Sequence, residues 1–208
     1  MMDSILTISI ALVTSVFGPA AITYMKYSLE KRRAKRIDPL QEALDMNNVV
    51  EEQLELLLEE LECDHIWIAQ FHNGGHFYPT GKSIQKFSVF YEKASNNIIS
   101  PLRDTYQNIP VSIFNKPLSI LYDEGYLLIE DVENDKSYGL ETFCAENSYK
   151  SCYLFALDNI NDKFLGVLGI YYNKNKHVLT EKELELVSQK AAAIGTILNT
   201  YLYENNKK

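Results

Sequence analysis

The sequence predicts an α/β (α+β) protein with an N-terminal transmembrane helix, a helical linker, and an antiparallel central sheet of about five to six strands flanked by helices. Two observations support this prediction. Residues 5–25 contain no charged side chain, and residues 151–173 show a strand–turn–strand pattern that is soon followed by a helix. A sheet with helices at both ends of its sequence is expected to bury its apolar faces against helical layers.

The stretch 151–173 carries the strongest secondary-structure signal. Two apolar runs, at about 151–157 and 163–172, are rich in Tyr, Phe, Leu, Val and Ile, which suit a pleated, half-buried surface. Asn and Asp side chains between the runs supply turn chemistry, so the segment is interpreted as a β-hairpin. Thr180 and Glu183 then form a capping box, which predicts a last helix that runs to about residue 204.

Other elements are predicted from shorter patterns upstream of this hairpin. Alternating apolar side chains indicate strands, and clusters of proline and polar residues indicate short helices in the middle of the chain. The predicted strands are 64–72, 84–95 and 126–132, and the predicted short helices lie between about 97 and 109, at 119–124 and at 141–148.

Charge is unevenly spread along the 208 residues. Residues 1–37 contain six basic and two acidic residues and carry +4, so the remainder carries −12 of the total of −8. An acidic body of this kind lacks the basic face that binds phosphates, and we predict no nucleic-acid partner. The three cysteines are widely spaced and form neither a disulfide framework nor a C-x-x-C motif.

Residues 1–37 are predicted to be a membrane anchor. The uncharged segment 5–25 has 21 residues, and about 20 apolar residues suffice to span a bilayer as a helix. A cleaved signal peptide would need basic residues before its apolar core, and only Met1-Met2-Asp3-Ser4 precede it here. The first partner that we predict is therefore the lipid bilayer, contacted through residues 5–25.

The charges that flank this segment predict its orientation. Six basic residues lie within 26–36, and none precedes residue 5. The positive-inside rule then places the N-terminus outside and the C-terminal domain in the cytoplasm. The expected location is the inner (cytoplasmic) membrane, crossed once. The basic cluster is also expected to contact anionic headgroups.

Residues 38–62 are predicted to form an amphipathic linker helix. Asp38 suits the N-cap and Pro39 the first helical position. Mostly apolar side chains follow at a spacing of four and three, interrupted by the polar Asn47 and Glu51. This pattern is compatible with packing on the chain's own domain or with a homodimeric coiled coil. The positions of this spacing are Leu40, Leu44, Asn47, Glu51, Leu54, Leu58 and Leu61.

The segments 149–173 and 177–198 together resemble the C-terminal part of a GAF domain, a PAS-like sensory module. The resemblance rests on Gly166-Val167-Leu168-Gly169 in the second hairpin strand and on Leu179-Thr180 with Glu183 at the start of the last helix. It extends over about 42–202, so residues 63–204 are identified as a GAF-like domain. It implies a sheet ordered 2-1-5-4-3, a pocket on one face, and terminal helices on the other face that often pair two copies.

Two features of ligand-binding GAF domains are missing from the sequence. It has neither the Cys-His arrangement that attaches a tetrapyrrole nor an NKFDE-type run of the cyclic-nucleotide binders. We therefore predict no cofactor. No catalytic domain follows residue 204, so we expect the output to pass through an unknown protein partner.

The candidate ligand site combines aromatic side chains with the unusual stretch 71–81. His72 and His76 lie four residues apart across a glycine-rich turn without an evident third ligand, so a turn or a pocket rim is favoured and no metal is predicted. Most of the aromatic residues are equally well explained by core packing. The candidate site residues are Phe71, His72, Asn73, Tyr78, Tyr91, Tyr138, Phe143, Phe155 and Tyr171.

These observations favour a non-enzymatic, membrane-anchored sensory or regulatory module. A ligand-free GAF scaffold that recruits a partner to the membrane is the alternative. A thiol reductase of GAF fold, using Cys144 and Cys152, is a minor alternative because the glycine-flanked cysteine motif of those enzymes is not recognisable. No Ser-His-Asp order, H-E-x-x-H or Walker A motif indicates another enzyme class.

Overall fold

The computed structural model describes residues 18–34, 38–73, 86–95, 101–158 and 163–206. It divides into two compact units, Met1–Asp45 and Met46–Lys208.

The first unit contains helix α1 (Gly18–Ala34) and the first turns of helix α2 (Pro39–Glu60). Asp38 caps α2, because its side-chain Oδ1 accepts the amide of Leu40 at 2.9 Å. Gln41 Nε2 donates to Asp45 Oδ1 at 2.8 Å, one turn further along the helix. No helix among the described residues combines the length and apolar character needed to cross a bilayer. Most of the predicted span, residues 5–17, lies outside the described part of the chain.

The described residues of the second unit form one antiparallel sheet of six strands, in the order β3-β2-β1-β6-β5-β4. Without the two-residue β3, this is the order 2-1-5-4-3 that the resemblance implies. Strands predicted from alternation are all present, with ends shifted by one to three residues. The strands are β1 (His65–His72), β2 (Lys86–Ala94), β3 (Ile109–Pro110), β4 (Tyr126–Ile129), β5 (Ser151–Asp158) and β6 (Phe164–Tyr172).

Short helices fill the connections. A 3-10 turn, Val111–Phe114, leads into helix α4 (Asn115–Glu124). This helix begins four residues before the predicted 119–124. Strand β3 was not predicted, because two residues give no alternation to detect; Pro110 pairs with Lys86 at the edge of the sheet. The helices are α3 (Leu102–Thr105), α4 (Asn115–Glu124), α5 (Glu141–Glu146) and α6 (Glu181–Asn206).

Both faces of the sheet are covered by apolar layers. On one face, α2 and α6 pack against Ile66, Ile68, Leu168 and Ile170, which belong to one buried cluster. This cluster beneath α2 and α6 is called the helix-facing cluster. On the other face, residues from α3, α4 and α5 join a second buried cluster. Strands β1 and β6 are therefore buried on both faces, and each contributes side chains to both clusters.

Helix α2 shows where part of the predicted dimer seam lies. Leu54 and Leu61 are completely or almost completely buried in the helix-facing cluster, and Leu58 packs against it. These three residues of the predicted seam therefore pack in the core of their own domain. Val49 and Leu56 remain exposed.

Helix α6 is fixed at its start and near its middle. The predicted capping box forms: Glu183 accepts the amide of Thr180 at 2.7 Å, and Thr180 Oγ1 accepts the amide of Glu183 at 3.3 Å. Near the middle, Gly195 lies so close to the carbonyl oxygen of Asp158 that a β-carbon there would overlap it. This close approach holds the helix against the end of β5.

Candidate functional site

An aromatic cavity of about 40 Å³ lies in the layer opposite α2 and α6. Strands β1, β2, β5 and β6 form its floor, and α3, α4, α5 and the segments beside them form its walls. Apolar pockets with a few polar groups are the usual sites for small ligands. The lining residues are Trp67, Ala69, Phe71, Phe87, Val89, Leu102, Tyr106, Phe114, Pro117, Leu118, Leu121, Leu140, Phe143, Leu154, Val167 and Tyr171.

Strand alternation places three lining residues side by side. Trp67, Ala69 and Phe71 point to the same face of β1, because successive side chains of a strand alternate between its two faces. Gly169 pairs with Trp67 across the sheet, and a β-carbon there would lie 2.5 Å from Cε2 of the indole. The absence of a side chain at residue 169 thus allows the indole to lie flat across β6.

Two buried polar atoms, on residues that line the cavity, lack a nitrogen or oxygen partner among the described residues: the indole Nε1 of Trp67 and the hydroxyl of Tyr171. The sulfur of Cys152, a weak acceptor, lies beside the Tyr171 hydroxyl. Trp67 is 7% exposed and Tyr171 is 0% exposed, so surface water cannot supply the missing hydrogen bonds. An unpaired buried donor costs about 1–3 kcal/mol. Burial also raises the pKa of Tyr171, and the nearby Cys152 acts in the same direction, so the hydroxyl keeps its proton.

Tyr171 packs against a residue that belongs to a buried hydrogen-bond chain. The ring of Tyr171 stacks on the ring of Tyr149, with centroids 3.9 Å apart and planes at 15°. The Tyr149 hydroxyl lies 2.7 Å from His65 Nδ1, and His65 Nε2 lies 2.7 Å from Glu92 Oε1. Burial raises the pKa of Tyr149, which keeps its hydroxyl neutral.

Glu92 connects this chain to helix α3. Its two carboxylate oxygens accept the amides of Leu102 and Arg103 at 2.8 and 2.9 Å. Burial acts to raise the pKa of Glu92, but the hydrogen bonds from His65, Arg103 and Leu102 outweigh it and hold the pKa below its ordinary value. The ionised carboxylate therefore anchors the helix whose Leu102 lines the cavity.

A second, outer cleft of about 330 Å³ adjoins the cavity. It shares Phe71 and Leu118 with the cavity. The ring of Phe71 meets Phe164 edge to face at 4.9 Å between centroids. The residues that line the cleft are Phe71, Val111, Asn115, Leu118, Ser119, Tyr122, Asp123 and Phe164.

The structure brings four of the nine predicted site residues together. Phe71, Phe143 and Tyr171 line the cavity, and the half-buried Tyr138 packs against the same cluster. The other five do not line it, or lie outside the described residues.

Tyr91 and Phe155 belong to the helix-facing cluster. A register shift in the β1–β2 pairing sets Tyr91 opposite Ile68, and its hydroxyl donates to Asn47 Oδ1 at 2.6 Å. Phe155 faces the helices because its neighbour Leu154 faces the cavity. Neither aromatic residue can therefore contact a ligand in the cavity.

The predicted rim at 71–81 is only partly described. His72 is buried and contacts Ser88 Oγ at 2.8 Å through Nε2; burial and then Lys86 lower its pKa. Asn73 is half-buried at the end of β1. Tyr78 and His76 lie outside the described residues. Within the described ranges, no group of three or more His, Cys, Asp or Glu residues is placed to hold a metal ion.

Several cavity residues were not predicted from the sequence, chiefly Trp67 and the residues of α3 and α4. Trp67 lies four residues before Phe71 on the same face of a strand, a signal that could have identified it. Leu102, Leu118 and Leu121 belong to short helices whose apolar residues carry no recognisable pattern.

The cysteines are poorly suited to thiol chemistry. All three are buried. Burial raises the pKa of Cys63 to about 12 and raises that of Cys152, which lies beside Cys144. Since the thiolate is the reactive form, the geometry disfavours the reductase alternative.

No family model matches the sequence, and the search of curated proteins found no sequence match. Solved structures, however, share the fold. The blue-light absorbing form of the PixJ GAF domain from Thermosynechococcus elongatus is similar with a TM-score of 0.63 at 16% identity, over 81% of this chain and 93% of that chain. The GAF domain region of a protein from Geobacter sulfurreducens PCA is similar with a TM-score of 0.60 at 14% identity, over 77% and 97%.

A third similar structure is the far-red absorbing dark state of JSC1_58120g3 with bound biliverdin IXa. Its TM-score is 0.59 at 12% identity, over 75% of this chain and 90% of that chain. At such low identities, these similarities establish the fold alone. They confirm the predicted GAF fold for most of the described chain.

Proposed function

We propose that this GAF-fold domain is a non-enzymatic sensory module that binds a small molecule in its aromatic cavity. The observation that carries the proposal is a pair of buried donors without a nitrogen or oxygen partner, Trp67 Nε1 and the Tyr171 hydroxyl, on residues that line an otherwise apolar cavity. A ligand that accepts hydrogen bonds would remove the penalty for both. The similar structure with bound biliverdin IXa supports the proposal by analogy of fold.

The ligand signal would pass through the sheet. Trp67 faces the cavity, while its neighbour Ile68 faces α2 and α6. A ligand that prefers one position of β1 and β6 therefore also changes the surface against which these helices pack. A protein partner that contacts the helices would detect this change.

The module acts at a membrane in this proposal. Residues 5–25 would cross the bilayer once, with the N-terminus outside and the domain in the cytoplasm, because the flanking basic residues follow the segment. Anchoring would keep the domain near a membrane-bound output partner.

Homodimerisation is part of the same proposal. Val49 is 42% exposed and Leu56 is 45% exposed, and they lie seven residues apart on α2. This is the heptad spacing of a coiled-coil seam. A second copy would cover both residues.

A ligand-free scaffold is the second candidate function. The small volume of the cavity, about 40 Å³, favours it, because this volume is far below the range of drug-sized pockets. Thermal-shift screening of the purified full chain against a metabolite library separates the two. A compound that raises the melting temperature of the wild type, and raises that of Ala69→Val much less, supports sensing. The reason is that the added methyl groups of valine would fill the cavity. Absence of any shift, or equal shifts in both proteins, supports the scaffold.

A further inference from the structure

The cavity and the outer cleft have a common wall, formed by Phe71 and Leu118. We propose that they form one ligand site, and that its ligand is an uncharged molecule with an apolar body and a hydrogen-bond acceptor. This inference rests on the proposed sensory function and gives its ligand a chemical class.

Volume supports a joint site. The inner cavity of about 40 Å³ has room for only a few non-hydrogen atoms, whereas the cleft of about 330 Å³ lies within the range of small-molecule pockets. Phe71 is 5% exposed and lines both spaces. Rotation of its ring or of the Leu118 side chain would join the spaces, and a ligand could then extend from the sheet to the surface.

Charge determines which ligands fit. The described residues that line the cavity and the cleft include no lysine or arginine, and the only charged one is Asp123 in the cleft. Residues 38–208 also carry −12 in total. A carboxylate or a phosphate would therefore lose its water without gaining a cationic partner. The site thus favours uncharged ligands over anionic ones.

Hydrogen-bonding capacity determines the polar group of the ligand. Trp67 Nε1 can only donate, and the Tyr171 hydroxyl is a donor kept neutral by burial. An acceptor such as a ketone, aldehyde or ether oxygen satisfies one or both. A purely apolar ligand would leave Trp67 Nε1 unpaired and the Tyr171 hydroxyl with only the weakly accepting sulfur of Cys152, so it would bind more weakly than an acceptor of the same shape.

The sequence provides a built-in probe for this test, because Trp67 is the only tryptophan. Its indole N–H gives a single ¹H–¹⁵N resonance, and the proton resonance moves downfield when the group donates to an oxygen. We would titrate the ¹⁵N-labelled full chain with three cyclic probes of similar shape: cyclohexanone, methylenecyclohexane and cyclohexanecarboxylate. They differ in bearing a neutral acceptor, no acceptor and a negative charge.

We expect saturable downfield movement with cyclohexanone, weaker binding without the downfield movement for methylenecyclohexane, and no binding of cyclohexanecarboxylate. Tyr171→Phe should weaken cyclohexanone binding roughly two- to tenfold and leave methylenecyclohexane binding unchanged, since a single hydrogen bond is lost. Tyr172→Phe is the matched control, because Tyr172 lies in the helix-facing cluster and should leave both affinities unchanged.

The common wall has its own test. Leu118→Ala removes part of it and should increase the affinity for the bulkier 4-tert-butylcyclohexanone. Ile120→Ala is the control, because Ile120 lies on the same helix and packs against the same cluster but lines neither space. Equal effects of the two substitutions would overturn the joint site.

The remaining outcomes separate this inference from the proposed function. If cyclohexanecarboxylate binds as well as cyclohexanone, the inferred ligand class is wrong while a sensory cavity remains. If methylenecyclohexane binds as well as cyclohexanone, the inferred acceptor is wrong. If no probe moves the Trp67 resonance in the wild type or in Leu118→Ala, both the ligand class and the ligand-binding cavity are overturned.

Discussion

The rings of Trp67 and Tyr171 lie nearly parallel, 5.8 Å apart between centroids with planes at 19°, on neighbouring strands of the sheet. Together they form much of the cavity floor, and each carries a buried polar atom without a nitrogen or oxygen partner among the described residues. Folded proteins pair nearly all of their buried polar groups. Two exceptions in one cavity therefore mark it as the part of the domain that needs explanation by function.

Tyr171 and Tyr172 provide a stability test of this relationship. Without ligand, Tyr171→Phe should leave the free energy of unfolding unchanged or raise it, because the buried hydroxyl that it removes has only a weak acceptor, the sulfur of Cys152, beside it. Tyr172→Phe should lower the free energy by about 1 kcal/mol, because the Tyr172 hydroxyl donates to the carbonyl of Leu61 at 3.0 Å. Urea denaturation measures both. An equal loss in the two variants would show that Tyr171 has a partner.

Gly195 tests the packing of α6 on the sheet. Alanine is the better helix former by about 1 kcal/mol, yet we expect Gly195→Ala to lower the free energy of unfolding by about 1–3 kcal/mol. The reason is the overlap of the added β-carbon with the carbonyl of Asp158. Ser188→Ala, at an exposed position of the same helix, is the control and should change little. A gain in stability for Gly195→Ala would contradict the observed approach.

Glu92 predicts a pH dependence of stability. Its folded-state pKa lies below the ordinary 4.5, so its contribution is complete above about pH 4.5 and is lost as the pH falls through the folded-state pKa. At neutral pH, Glu92→Gln should lower the free energy of unfolding by about 2 kcal/mol.

Chemical denaturation at a series of pH values measures the difference between wild type and Glu92→Gln. The difference should shrink on the acidic side as the wild-type carboxylate is protonated. A difference that stays constant from neutral to acidic pH would mean that the hydrogen bonds to His65, Leu102 and Arg103 do not depend on the charge of Glu92.

Leu56 tests the proposed homodimer. Leu56→Glu places a charge on an exposed part of α2, so it should weaken association without reducing domain stability. Sedimentation velocity measures association, and Glu124→Gln, exposed on α4 and away from the proposed seam residues, serves as the control. A wild-type protein that sediments as a monomer, or a Leu56→Glu variant that associates as strongly as wild type, would contradict the proposed seam.

The positions of the long strands along the chain could be predicted from sequence because their signals are local, whereas their order in the sheet was implied by the resemblance to GAF domains. The hairpin at 151–173 combines two apolar runs with a polar turn, and both features lie within a few residues of each other. The middle of the domain gave weaker predictions, because β3 and the short helices depend on contacts with distant residues. Leu102, for example, is positioned by Glu92, ten residues earlier.

The candidate site could be predicted only in part, for a related physical reason. Strand β5 is buried on both faces, so its apolar run does not reveal which side chains face the cavity. Phe155 and Leu154 look equally suitable, yet only Leu154 lines the cavity. Tyr91 is placed on the opposite face by a register shift in the pairing of β1 and β2. The sequence of β2 alone contains no signal for such a shift.

The most direct test of the central claim, that the aromatic cavity binds a small molecule, is mass spectrometry of the compounds released when the purified full chain is denatured. The account predicts an uncharged compound at a near-stoichiometric amount in the wild type and its loss in Ala69→Val, whose added methyl groups occupy the cavity of about 40 Å³. A compound retained equally by both proteins, or no compound in the wild type, would contradict the claim.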